Sequence, residues 1–389
     1  MSFVLAAWIT VGAVFFGVPA AYFLYMKKRS VAGWNLKLDS SYLPSTAVFI
    51  PVHNEEKVIR LKLDNISKVV YPSDKMQITV INDCSTDGTI QEVDNYVSTH
   101  SAPKISVFDS KVHLGKAGCL NSALKGVDAD VVIISDVDCF WPSDILSKAV
   151  SYLSDPNVGA ITARELLLNP QDTWVTLSEQ FYDSTIQSVR IGESKIHSTI
   201  FFQGGFAAYK KSALTEFNRA TDDSGTALDI VQTKRRALLV PELGFFTLSP
   251  TKWVNKVAIK IRRASHLQHL WARSLNLLVH GKLAMPKKIA IPEIMLHIFN
   301  PVLLVVFAVF SVAVMFQYPL LALALAVLVG VVFAAKKTRM TALELIQNNL
   351  ILLTALTSFF TKRNFAFWKP SQESRSTLNE DVLREKQLI

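Results

Sequence analysis

From Phe3 to Met26 the chain carries no charged side chain, and Lys27-Lys28-Arg29 follow at once. A second uncharged stretch runs from Ile298 to Ala335, broken only by Tyr318-Pro319 and closed by Lys336-Lys337. A third, weaker run from Leu343 to Thr361 contains Glu344, Gln347, Asn348 and Asn349. A membrane-spanning helix needs roughly 20 apolar residues. The first stretch therefore fits one span, and the second fits two helices turning near Tyr318-Pro319. The third run is expected to be re-entrant or interfacial, since spanning would put Lys362, Arg363 and FWKPSQESR (367–375) outside. Buried core helices are the competing reading, but soluble cores seldom leave such lengths without a charge. A cleaved leader fits poorly: a basic n-region is missing, and the apolar run exceeds the ~7–15 residues of an h-region. With the positive charges behind the first run, the N-terminus is expected outside and the middle of the chain in the cytoplasm, giving a multi-pass protein of the cell membrane. The net charge of +9 over 389 residues then needs no nucleic-acid partner; basic flanks facing anionic lipid account for much of it. Three cysteines, Cys84, Cys119 and Cys139, suggest neither a disulfide framework nor a zinc site.

The polar middle, from about Ser45 to about Leu248, alternates between two periodicities. TAVFIPVHN (46–54) reads as a buried strand, followed by helical periodicity in EEKVIRLKLDNISKVV. MQITVINDCSTDGT (76–89) is a second strand, KAGCLNSALKGV (116–127) a helix, DVVII a strand and PSDILSKAVSYL (142–153) a helix. This βαβ alternation predicts an α/β domain with a parallel sheet. Ligands in such sheets bind beyond the carboxyl ends of the strands. His53-Asn54-Glu55, Asp83 and the pair Asp136/Asp138 all fall where a strand ends, so they are expected to converge on one crevice.

The pair Asp136/Asp138 closes the apolar run in ADVVIISDVDCFW (129–141). Two carboxylates one residue apart at a strand exit suit a hard divalent cation, Mg²⁺ or Mn²⁺, which prefers oxygen ligands and commonly bridges carboxylates to substrate phosphates. A solvated loop can also carry D-x-D, and it is the setting at a strand end that favours the metal. Neither G-x-G-x-x-G after the first strand nor a Walker P-loop is present, which argues against dinucleotide binding and P-loop chemistry.

In order along the chain, PVHNEE (51–56), INDCSTDGT (81–89), GKAGCLNSAL (115–124), SDVDCF (135–140), FQGGFAAYKKSAL (202–214) and TDDSGTALDI (221–230) resemble the inverting family 2 glycosyltransferases with a GT-A fold, over about Thr46 to Arg263. The membrane layout is similar to that of polysaccharide-synthase-like members. The resemblance implies a Rossmann-like GT-A domain, cytoplasmic, with transmembrane helices at both ends. Domain boundaries follow: 1–28 an N-terminal transmembrane helix, 45–250 the catalytic domain, 251–296 interfacial amphipathic helices, 297–361 transmembrane helices and 362–389 a cytoplasmic tail. By the same resemblance Pro51, His53, Asn54, Glu55 and Asp83 bind the nucleotide, and Lys116 sits near the diphosphate. Asp136 and Asp138 form the D-x-D that holds donor and metal. Asp223 matches the catalytic base of the family's T-E-D motif, with Asp222 beside it. Gln203-Gly204-Gly205 match the glycine turn by the acceptor channel. The bland reading of Asp222 and Asp223 is a helix N-terminus, where acidic side chains are favoured by the dipole; both readings can hold, with Asp222 in the structural role.

The chemistry is coherent. A departing diphosphate needs cationic neutralisation, an acceptor hydroxyl needs a carboxylate to take its proton, and a one-step inversion needs no covalent intermediate. The pattern departs from the processive synthases at Q-x-x-R-W. The matching stretch is KIRRA (260–264), with Arg263 in place of the arginine but Lys260 for Gln and Ala264 for Trp. Lys260, Arg262 and Arg263 suit an anion, either the donor diphosphate or a lipid phosphate, and equally suit a basic helix touching headgroups. The expected partners are thus a nucleotide-sugar donor, a lipid-linked or membrane-delivered acceptor and membrane lipids, with an oligomer left open. A polyprenyl-phosphate acceptor is the alternative enzyme reading, and a catalytically dead nucleotide-sugar binder the non-enzyme one. The Asp223 match favours a hydroxyl, because an ionised phosphate needs no base.

Overall fold

A computed structural model describes residues 2–361 and 378–389; FWKPSQESR lies outside the described residues. The chain divides into two units, Met1–Lys28 with Lys252–Arg363, and Arg29–Thr251 with Asn364–Ile389. The first begins with α1 (Phe3–Ser30). The second holds β1 (Thr46–Val52), α2 (Ile59–Ser67), β2 (Met76–Asp83), α3 (Thr89–Thr99), β3 (Ile105–Ser110), α4 (Lys116–Leu124), β4 (Val131–Ile134), α5 (Ile145–Leu153), β5 (Val158–Leu167), α6 (Trp174–Ile196), β6 (Ala207–Lys210), α7 (Asp222–Gln232) and β7 (Arg236–Thr247).

The seven strands form one mixed sheet in the order β3-β2-β1-β4-β6-β5-β7. β1, β2, β3 and β4 are parallel, as the βαβ alternation predicts. The two central strands, β1 and β4, are near-continuous apolar runs because both faces are covered: all four residues of β4 are buried. Chain order runs β1-β2-β3 to one side and then returns to place β4 on the other side of β1. That reversal opens a crevice at the carboxyl ends of β1 and β4. β6 is antiparallel to β4, with Ile134 opposite Ala207. The residues just before β6, Gln203 to Gly205, are thereby delivered to the same end of β4 as Asp136. Sequence periodicity over 55–70 predicts a longer helix than the observed α2. The turn that precedes it is held in another conformation: Asn54 takes φ 57° and its amide donates to Ser85 Oγ (2.9 Å), while the Glu55 amide donates to Thr89 Oγ1 (2.8 Å).

The other unit continues with α8 (Trp253–Val279), α9 (Lys287–Ile294), a π-helical turn at Met295–Phe299, α10 (Asn300–Gln317), α11 (Pro319–Ala334) and α12 (Lys336–Thr361). Phe3–Ser30 and Lys287–Gln317 are each long and apolar enough to cross a membrane. The second uncharged run breaks at Tyr318, as expected, but α11 has 16 residues, short of the roughly 20 a lone span needs. It passes the length test only together with the following helix, across a bend of 107°. α1 and α10 run antiparallel: Tyr318 Oη donates to Ser2 Oγ (2.9 Å), Trp8 Nε1 to Ser311 Oγ (2.8 Å), and Phe15 stacks on Phe307. Gly12 makes room there, since a Cβ would stand 2.8 Å from the Phe307 ring. Glu344 and Gln347 of the third run face α8, whereas Asn349 accepts from Asn300 of α10 (3.3 Å). Glu344 lies 3.5 Å from Lys256 and 3.7 Å from Lys260, Trp253 Nε1 donates to Gln347 Oε1 (3.1 Å), and Gln268 Nε2 to the Leu352 carbonyl (2.7 Å).

Candidate active site

Asp136 leaves β4 with its amide donating to the Gly204 carbonyl at 2.7 Å. The two backbones approach so closely that a Cβ on Gly204 would lie 2.4 Å from Asp136 Oδ2 and 2.5 Å from Lys116 Nζ. A side chain at this position would displace the Asp136 carboxylate and the Lys116 ammonium. Lys116 is the first residue of α4, reached through Gly115 at φ 74°. Its ammonium lies 2.9 Å from Asp136 Oδ1 and 3.2 Å from Asp223 Oδ2, so one cation joins carboxylates delivered by β4 and α7. Asp223 is buried in the first turn of α7. Asp222 opens the same helix.

Asp136, Asp138 and Cys139 each present a potential ligand atom, all within 4.8 Å of one another. The two half-buried carboxylates supply the hard oxygens that Mg²⁺ or Mn²⁺ prefers. Burial pushes the Cys139 thiol well above its ordinary value, with Asp138 and Asp136 adding to the shift, which leaves the oxygens as the ligands a divalent ion would take. The donor set therefore fits a hard cation held by Asp136 and Asp138.

At the ends of β1 and β2 a second group assembles. His53 Nδ1 lies 2.8 Å from the Asp83 carbonyl. The Asp83 carboxylate accepts from the Leu114 amide (2.7 Å) and from Cys119 Sγ (3.1 Å), and lies 2.9 Å from His113 Nδ1. Asp83 thus fixes the loop that leads into Lys116. Burial, reinforced by Asp83, pushes the Cys119 thiol up to about 12. The His53 and His113 rings stand 4.6 Å apart, presenting a partly exposed pair of imidazoles. The Asn54 side-chain oxygen accepts from the Thr86 amide (2.8 Å), Glu55 is buried, and Pro51 is half-buried within β1.

Lys116, Asp136, Asp138, Gly204 and Asp223 thus lie together, and His53 and Asp83 form a group of their own beside His113. Gln203 turns to Glu165 on β5, donating through Nε2 to Oε2 at 2.8 Å. Gly205 faces the Phe245 ring, and its carbonyl accepts from Trp141 Nε1 (2.7 Å). Lys260, Arg262 and Arg263 belong to α8 in the helical unit, where Lys260 is close to Glu344.

Several neighbours carried no sequence signal. His113 stands in a loop without periodicity, and Glu165 lies on a strand whose partners are set only by the sheet order. Lys62 looks like an ordinary polar position on an amphipathic helix, yet it is fully buried behind the D-x-D turn. Its ammonium lies over the Trp141 ring, 4.7 Å from the centroid. Desolvation pushes it down to about 7, with Cys139, Asp136 and Asp138 acting in the opposite sense.

The family profile described as Glycosyl transferase family 2 matches residues 47–217. A solved mannosyltransferase, PcManGT from Pyrobaculum calidifontis, in complex with GDP-Man and Mn2+, is 30% identical and superposes with a TM-score of 0.79, covering 93% of this chain and 100% of that one. Among curated proteins, an N-acetylglucosaminyltransferase of Rhizobium sp. (strain N33) is 26% identical over 279 residues, 69% of this chain and 60% of that protein. The beta-monoglucosyldiacylglycerol synthase of Synechocystis sp. is 28% identical over 151 residues, 38% of this chain and 32% of that protein. The chain thus spans between a third and three-fifths of the length of these curated relatives.

Proposed function

The chain belongs to glycosyltransferase family 2, with the GT-A fold, and from that premise we propose that it moves a hexose, with inversion, from a nucleotide-diphosphate sugar to a hydroxyl of a lipid-linked or membrane-delivered acceptor at the cytoplasmic membrane face. The observation that carries this reading is the Lys116 ammonium between Asp136 and Asp223, at 2.9 and 3.2 Å. It brings the proposed donor-binding carboxylate and the proposed base around one point, where leaving group and nucleophile must meet. The relative solved with GDP-Man and Mn2+ makes a guanosine-diphosphate hexose the first donor to test.

In this mechanism Asp136 and Asp138 would hold a divalent ion, which would supply positive charge against the negative charge of the departing diphosphate. Lys116 reaches the same leaving group as a point charge from a helix N-terminus, which itself favours anions. Asp223 accepts the proton of the acceptor hydroxyl as that oxygen attacks the anomeric carbon from the face opposite the diphosphate. The Gly204 turn leaves backbone, rather than a side chain, beside the reacting sugar. His53, Asn54 and Asp83, with Pro51 and Glu55 supporting the turn, form the proposed nucleotide end of the crevice. Lys260, Arg262 and Arg263 on α8 are proposed to meet phosphate, of donor or lipid.

A topological argument supports a multi-pass layout. Residues 378–389 pack in the same unit as Arg29–Thr251. A folded unit lies on one side of a membrane, so between these segments the chain crosses an even number of times. A crossing by Lys287–Gln317 must then be answered by one return.

The test uses purified full-length protein, GDP-mannose and a panel of other nucleotide sugars, with Mn²⁺, reading nucleoside-diphosphate release. Asp223→Asn is expected to keep donor binding and to lose transfer. Unchanged turnover in that variant would replace the hydroxyl acceptor with a phosphate, and absence of diphosphate release with every donor would refute the enzymatic reading.

A further inference from the structure

The turn that carries Asp138 is held from behind, and its supports continue into a distant part of the chain. Lys62 donates through Nζ to the Cys139 carbonyl, one residue past Asp138. Asn65, one helical turn further along α2, is fully committed: Oδ1 accepts from the Trp141 amide, and Nδ2 donates to the Trp141 carbonyl and to the Leu388 carbonyl, each at 2.8 Å. Trp141 in turn donates through Nε1 to the carbonyl of Gly205 at 2.7 Å, tying the D-x-D turn to the glycine turn. The segment that supplies Leu388 is itself anchored. It contains α13 (Glu380–Glu385), started by Asn379, whose side chain accepts from the Asp381 amide. Leu383 and Leu388 are buried at 0% and 2% exposure in the same apolar core as α2, with Leu378, Val382 and Ile389 packed against it. The Leu388 amide donates back to the Leu383 carbonyl at 2.8 Å, which aims the Leu388 carbonyl at Asn65.

We infer that residues 378–389 are an intramolecular clasp on the catalytic unit, and that Asn65 and Lys62 are positioning residues through which this clasp sets the geometry of Asp138 and hence the affinity for the divalent ion and the nucleotide sugar. The inference rests on the proposed role of Asp136 and Asp138. The physical reason is that a D-x-D turn leaving a four-residue strand has little backbone pairing of its own. The Cys139 amide donates to the Asp136 carbonyl (3.2 Å) and Phe140 pairs with Phe246, while the Cys139 carbonyl and both main-chain groups of Trp141 are held by α2 side chains. An Asn65 amide without Leu388 keeps both Trp141 bonds but loses the third contact that orients it. Supports of this kind behind a metal ligand commonly alter affinity by ~10–100-fold when removed.

The experiment measures Mn²⁺ and GDP-mannose dissociation constants, by manganese EPR and calorimetry, on full-length Asn65→Leu, Lys62→Met, Leu388→Glu and the double variant Asn65→Leu/Leu388→Glu, with thermal unfolding of each. The inference expects each single variant to weaken Mn²⁺-dependent donor binding by roughly tenfold or more, with the double variant no worse than the weaker single one, because both act through one contact. Leu388→Met, which keeps the packing, is expected to bind as wild type. Lower melting temperatures with unchanged dissociation constants would make the segment a purely structural anchor and overturn the inference, as would losses that add in the double variant. If Leu388→Glu does not fold, Lys62→Met and Asn65→Leu decide alone. Asp138→Ala, run in parallel, separates the two failures. Retained Mn²⁺ binding there removes the metal reading and the clasp with it, whereas lost binding there beside unaffected α2 variants removes only the clasp.

Discussion

A single methyl group at Gly204 tests the geometry of the site by displacing two of its side chains without removing either. The Cβ of Gly204→Ala would stand 2.4 Å from Asp136 Oδ2, 2.7 Å from Asp136 Oδ1 and 2.5 Å from Lys116 Nζ. Non-bonded contact needs about 3.5 Å, so the Asp136 carboxylate and the Lys116 ammonium must each retreat by about 1 Å. Both are ends of half-buried side chains and can move, so the backbone has no reason to unfold. The 2.9 Å contact between them lies against the new methyl, and the carboxylate shifts away from the position it shares with Asp138. Misplacement of about 1 Å in a catalytic constellation costs about a hundredfold in rate, equivalent to ~2.7 kcal/mol of transition-state stabilisation. The assay is nucleoside-diphosphate release by the purified full-length protein with donor and Mn²⁺, beside a thermal melt. Gly33→Ala, where a Cβ meets nothing within 4 Å, is the control and is expected to behave as wild type. Gly204→Ala is expected to lose about two orders of magnitude in kcat/KM while melting within a few degrees of wild type. Activity within threefold of wild type would refute the claim that this close approach shapes the site. A large drop in melting temperature would show that the glycine serves the fold instead.

Asp83→Asn should weaken the hold on the Leu114 amide and the contact with His113, costing about 1–3 kcal/mol in the unfolding free energy and raising KM for the donor more than it lowers kcat; a variant of wild-type stability would show that the carboxylate does not fix this loop. Maleimide at neutral pH should label Cys84 alone in the folded protein, because Cys119 and Cys139 are buried and their thiols are pushed up; labelling of Cys119 before unfolding contradicts the packing around Asp83. On the proposed topology, with the catalytic unit in the cytoplasm and an even number of crossings after it, a cysteine placed at Ser376 should stay unmodified by an impermeant reagent in intact cells; modification there breaks the parity argument. Chelation of divalent ions with EDTA should abolish diphosphate release, and Mn²⁺ or Mg²⁺ should restore it; full activity under chelation removes Asp136 and Asp138 as metal ligands.

The sequence by itself determined whatever depends on local pattern. Uninterrupted apolar runs marked which segments suit a membrane, because soluble cores seldom leave such lengths uncharged. Alternating periodicities fixed the βαβ order, and with it the placement of His53, Asp83 and Asp136 at strand ends. The switch from apolar to acidic at Ile134–Asp138 marked the site because a buried strand can carry polar groups only where it ends. What the sequence could not specify are relations between residues far apart in the chain. The antiparallel insertion of β6 beside β4 brings Gly204 against Asp136, and the first turn of α7 brings Asp223 to Lys116; neither follows from spacing. Glu344 looked like a flaw in an apolar run until α8 supplied Lys256 and Lys260. Lys62 and Leu388 resemble any helix lysine and any terminal leucine, and only the packing of α2 against residues 378–389 shows that both support the turn bearing Asp138. Periodicity records what each residue wants from its surroundings. Which surroundings it meets is set by strand order and by long-range packing, and these are collective properties of the folded chain.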